Sequence, residues 1–94
     1  MAFQSETAEA YHALKHQTDL PPEFRPAGGN PVDNYEAAIN DVVKTGRVVA
    51  AEPTDTGSTM VVIQKTYPSI GADVKVIIYV KPDGTPVIAT LMKA

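Results

Sequence analysis

The sequence predicts an α+β domain: two N-terminal helices packed on one face of an antiparallel sheet of about four strands. Three observations predict it. Helix start and stop signals are confined to the first 46 residues. The second half is dominated by β-branched and apolar runs such as Met60-Val61-Val62-Ile63 and Val76-Ile77-Ile78-Tyr79-Val80. The links between those runs are short turns, which join antiparallel neighbours, whereas parallel strands need long crossovers. Helices that precede such a meander bury their apolar stripes on one of its faces, giving two layers. The 94 residues fit one domain, 1–94, with a single modest core.

The first helix is expected over about 6–17. Ser5 caps it, and Glu6 and Glu9 sit at its positive end. Tyr11 and Leu14, three apart, mark its expected buried side. Pro21-Pro22 forbids continuation. The linker to Asn30 carries three prolines and Gly28-Gly29, and its large apolar residues, Leu20 and Phe24, are assigned to the core.

The second helix is expected over 31–45. Asn30 caps it, Pro31 opens it, and Tyr35, Ala38, Ile39 and Val42 form one apolar stripe. Gly46 is expected to end it in a left-handed conformation. Strands follow over about 47–52, 58–66, 73–81 and 85–92. The 73–81 strand is apolar on both sides, as a strand covered on both faces would be. Pro82-Asp83-Gly84 reads as a hairpin turn. Pro86 points to an edge position or a bulge in the last strand.

Composition narrows function only loosely. No apolar run approaches the roughly 20 residues of a membrane-spanning helix. The chain has no cysteine, which removes disulfides, thiolate metal sites and cysteine nucleophiles. Net charge is −3, but it is unevenly spread. Residues 1–43 hold two bases against seven acids, and residues 44–94 hold six bases against four acids, so the basic excess lies in the expected sheet.

Both histidines lie in Tyr11-His12-Ala13-Leu14-Lys15-His16. Their i, i+4 spacing puts them on one helical face, with Lys15 beside them. Imidazoles titrate near neutral pH and can act as acid or base, while a lysine can neutralise an anion. The competing reading is one surface histidine and one packed at the helix–loop junction. A histidine pair at this spacing can chelate a metal, but no third ligand stands near it in sequence, so no metal is expected. Gly28-Gly29 lacks the Lys-Ser/Thr of a phosphate-binding loop, and no Gly-x-Ser-x-Gly elbow is present, so no cofactor is expected.

The order of elements, together with Lys15-His16, Phe24, Tyr35-Glu36-Ala37-Ala38, Asp83-Gly84-Thr85 and Thr90-Leu91-Met92, resembles the colicin D-type toxin ribonucleases of the barnase–EndoU–colicin–RelE superfamily. The resemblance implies that His16 is the general acid or base. It implies that Lys15 holds the scissile phosphate and that Thr90 binds a phosphate oxygen or holds the histidine. Met92 stands where that family carries an aromatic residue. Candidates for holding substrate are His12, Arg25, Lys75, Tyr79, Lys81 and Met92.

The implied reaction is metal-independent cleavage of RNA, tRNA in particular. The implied setting is the C-terminal domain of a delivered protein, restrained by an immunity partner and acting in the target cell cytoplasm. A non-catalytic protein-binding module, such as an immunity or phage accessory protein, is the alternative expectation; the acidic N-terminal half favours it.

Overall fold

The computed structural model describes residues 2–94. Its elements run β1 (Ala2–Phe3), α1 (Glu6–Lys15), α2 (Pro31–Thr45), β2 (Arg47–Pro53), β3 (Thr59–Tyr67), β4 (Ala72–Val80) and β5 (Pro86–Lys93), with two short 3-10 turns at Gln17–Asp19 and Pro22–Phe24 between the helices. The strands form one five-stranded sheet in the order β1-β5-β4-β3-β2. β2 to β5 are an antiparallel meander, and β1 adds to β5 in parallel, opposite Val87 and Ile88. The α+β architecture is as expected, but the sheet is mixed and has a fifth strand. Two residues are too few to carry a strand pattern, and their pairing with the far end of the chain leaves no local trace.

α2 forms as its sequence dictates. The Asn30 carboxamide oxygen accepts from the amides of Val32 (2.9 Å) and Asp33 (3.3 Å), so its first turn is satisfied. Its stripe of Tyr35, Ala38, Ile39 and Val42 is buried against Val74, Val76 and Ile78 of β4 and Ile88 and Leu91 of β5. Leu20 is buried with them, and Phe24 packs at the margin, its ring edge-on to Tyr67 with centroids 5.9 Å apart.

Three expectations are corrected. α1 turns Ala13 inward and leaves Tyr11 and Leu14 exposed, at 59% and 57%. Alanine lets two backbones approach closely, so the small-residue side of the helix became the inner one. α1 also stops at Lys15, where His16 leaves helical geometry (φ −105°, ψ 11°). Gly46 is extended (φ −80°, ψ −173°), not left-handed. The glycine is required there by proximity, because a Cβ would strike the carbonyl oxygens of Val42 and Gln64.

α2 covers the face of the sheet that carries Val74, Val76 and Ile78. Ile77 is half-buried and Tyr79 is 37% exposed, so β4 is not enclosed on both sides. β5 lies inside the sheet, between β1 and β4, and its irregularity falls at Ala89, which has no partner where the register shifts between Ile77 and Ile78.

One polar cluster ties α2 to the sheet. Asp41 accepts from Lys65 Nζ (2.7 Å) and from the hydroxyl of buried Tyr67 (2.6 Å), and Lys65 also donates to Thr45 Oγ1 (2.7 Å). These bonds, to Lys65 first, hold the Asp41 carboxyl below its usual range. The folded form therefore prefers the carboxylate, and this contribution is present at neutral pH and lost as pH falls below about 3.8. Asp41→Ala strands the Tyr67 hydroxyl and is expected to cost roughly 1–2 kcal/mol. Thermal unfolding at pH 7 should show a fall in Tm of several degrees; an unchanged Tm would mean that solvent replaces the carboxylate without loss.

Candidate active site

The site is assembled where the end of α1 meets the end of β5. The Ser5 hydroxyl accepts from the Ala8 amide (3.1 Å) and fixes the start of α1. Two turns later His12 and His16 stack one helical turn apart, ring centroids 5.9 Å apart and planes within 9°. The His16 amide still donates to the His12 carbonyl (2.9 Å), so the second ring is held by the last bond of the helix.

The 3-10 turn that follows brings a carboxylate back to His16. The Asp19 amide donates to the His16 carbonyl, and Asp19 Oδ2 lies 2.9 Å from His16 Nδ1. His16 is 7% exposed. Among the described residues, no buried side-chain nitrogen or oxygen lacks a partner, and the His16 ring has only Asp19. Its Nε2 has no protein partner among the described residues and is not fully buried. A carboxylate on one imidazole nitrogen, with the other left free, is the arrangement that orients a proton-transferring histidine.

His12 is half-buried, and its Nδ1 lies 3.4 Å from the Thr90 hydroxyl, at the long end of hydrogen bonding. Burial, and then the charges of His16 and Lys15, hold its pKa below 6.5. The neutral ring thus prevails at pH 7. The Thr90 hydroxyl is also 3.2 Å from the Tyr35 hydroxyl. Tyr35 in turn accepts from the Leu91 amide (2.6 Å) and donates to the Leu91 carbonyl (3.1 Å). β1 pairs only with Val87 and Ile88, so past it the Tyr35 phenol takes the place of a neighbouring strand.

Asp19 and Tyr35 were not singled out as site residues from the sequence. The available signals were an acid three residues after His16 and a polar aromatic on an otherwise apolar stripe. Thr90 meets His12 rather than His16, because α1 ends at Lys15 and the His16 ring turns toward Asp19.

The other candidates divide. Lys15 is exposed beside the pair, its Nζ 5.6 Å from the Tyr11 ring centroid. Tyr79 lines a hollow of about 150 Å³ together with His12, Gln4 and Ala8. Lys81 lines an adjoining hollow of about 450 Å³, to which Tyr79 also belongs. Lys75 and Met92 oppose each other across β4 and β5, two rungs beyond Ile77 and Thr90. Arg25 stands apart, in a hollow of about 220 Å³ with Gln17, Thr18 and Asn34.

A hollow of about 540 Å³ is lined by Glu6, Glu9, Glu36 and Asn40 over Phe3 and Ile88. Hydrogen bonding to Glu36, partial burial and the neighbouring carboxylates push Glu9 up to about 7. A cleft of like negative charge repels phosphate, so size alone is a poor guide to the site here.

Among the described residues, no group of three or more His, Asp or Glu side chains is placed to hold a metal ion. No helix among them is long and apolar enough to cross a membrane. The chain matches no protein-family model, no curated protein and no solved structure.

Proposed function

We propose that this domain is a toxin-type ribonuclease that cleaves RNA, tRNA in particular, by transesterification through its own 2′-hydroxyl. The observation that carries the reading is the stacked histidine pair, with one ring facing the Thr90 hydroxyl and the other backed by Asp19. His12, neutral at pH 7, takes the proton of the 2′-hydroxyl. The O2′–P bond forms as the P–O5′ bond breaks. His16, positioned by Asp19, returns a proton to O5′ through Nε2. Lys15 and the Thr90 hydroxyl stabilise the charge that grows on the non-bridging oxygens. The products are a 2′,3′-cyclic phosphate and a 5′-hydroxyl, with no cofactor required by the balance. In this reading the domain is the C-terminal part of a delivered protein and meets an immunity partner.

The test is incubation of the purified protein with total tRNA in EDTA, with the new termini identified chemically. Cleavage to cyclic phosphate ends is expected, slowed about 10²–10⁴-fold by His12→Ala and by His16→Ala. Equal rates in wild type and both variants would remove the pair from the mechanism. A second reading, a protein-binding module, has its own observation: β2 is a sheet edge with Val48 and Val49 exposed, a template for strand addition. It is favoured if no RNA is cut and a partner strand protects the β2 amides from exchange.

A further inference from the structure

The hollow beside His12 does not end there. Gln4, Tyr79 and Val87 line both it and the larger hollow toward the hairpin loops, so the two form one continuous groove. At its far end are Lys81 and the loop Thr54–Ser58, which brings three hydroxyls and the Asp55 carboxylate to the lining. That loop is closed by the Thr54 amide on the Ser58 carbonyl (2.8 Å) and by Thr54 Oγ1 on the same carbonyl (3.2 Å). The opposite turn is closed by the Lys81 amide on the Thr85 carbonyl (2.9 Å).

Midway along it lies the Tyr79 ring, 37% exposed on a strand that is otherwise half-buried or buried. Among the described residues the Lys81 ammonium has no acidic partner within 4 Å, although Asp83 is near enough to feel its charge and Asp55 lines the same hollow, whereas Arg47 and Lys65 are each paired. An aromatic face next to a cation free of a direct ion pair and several hydroxyls, on the same groove as a histidine, has the composition of a single-stranded nucleotide track.

We infer that this groove binds the nucleotide next to the cleaved one: its unpaired base stacks on Tyr79 and its phosphate is held by Lys81. That the strand is RNA rests on the reading given above; that an unpaired base and phosphate bind here does not. Stacking on an aromatic side chain requires a splayed base, so the preferred substrate is a loop or a single strand, not a duplex.

The test uses a fluorescent 2′-O-methyl trinucleotide, which cannot be cleaved, and measures its Kd by anisotropy. Wild type should bind it. Tyr79→Ala should weaken binding about 5–100-fold and Tyr79→Phe should restore it. Lys81→Ala should weaken it and lower the salt dependence by about one phosphate. Lys44→Ala, on α2 and in the lining of neither hollow, should leave Kd unchanged. No binding by wild type, or equal binding by Tyr79→Ala, overturns the groove. Cleavage of unmodified RNA is read in parallel. Binding without cleavage keeps the groove and sinks the ribonuclease reading; cleavage unaffected by Tyr79→Ala, with Kd unchanged, sinks the groove alone.

Discussion

Tyr35→Ala is expected to cost about 3–5 kcal/mol, the usual loss for a large buried aromatic. Tyr35 is fully buried, its ring lies 5.9 Å from that of Phe3, and its hydroxyl holds the backbone of Leu91 from both sides. Small domains sit near the low end of the usual 5–15 kcal/mol, so this variant should be largely unfolded at body temperature. Tyr35→Phe keeps the ring and removes only the hydroxyl. It leaves the Leu91 amide without its acceptor and should cost roughly 1–3 kcal/mol. At about 4–8 °C of Tm per kcal/mol for a domain of this size, thermal unfolding by circular dichroism resolves both. A Tyr35→Phe protein with wild-type Tm would show that water serves the edge of β5 as well as the phenol does. The same variant should loosen Thr90, whose hydroxyl loses one of its three neighbours.

Asp19→Asn should slow RNA cleavage by roughly 10²-fold or more while leaving KM close to wild type. Asp19 touches no reacting atom in the proposed mechanism; it positions His16 through the 2.9 Å contact at Nδ1. An amide there can donate as well as accept, and so no longer dictates which imidazole nitrogen carries the proton. A loss confined to KM would instead mark Asp19 as a structural support of the loop.

The pH profile gives an independent reading of the same pair. His12 must be neutral to act as base, and its pKa is held below 6.5, so the acid limb of kcat/KM should have its midpoint below 6.5. His16→Ala and Lys15→Ala each remove a positive neighbour and should move what remains of that limb upward, toward 6.5. Stability follows the same sign. The folded protein binds fewer protons at His12 than the unfolded chain. This contribution is therefore full above about 6.5 and lost as pH falls through the depressed value.

α2 was legible because its signals agree. A capping Asn30, a proline at the first position and a four-residue apolar stripe all specify one helix, and all four stripe residues are buried. α1 was legible in its start but not in its end or its orientation. Tyr11 and Leu14 compete with Ala8 and Ala13 for the inner side, and sequence alone weighs bulk above closeness of approach. β2 to β5 were legible to within about one residue at each end, since their links are short and their register is set between neighbours in the chain, whereas β1 was not.

What the sequence determined by itself is the layer order, the antiparallel meander and the inventory of groups: two imidazoles one turn apart, a lysine beside them and a threonine on the last strand. What only the tertiary structure decided is which of them meet. His12 and Thr90 lie 78 residues apart, and no local pattern states whether the first or second histidine faces that hydroxyl. The end of α1 at Lys15 and the turn of the His16 ring toward Asp19 settle it. Local hydrogen bonds and apolar periodicity are written in neighbouring residues. Contacts between distant segments depend on how closely the layers pack, which is a property of the whole core.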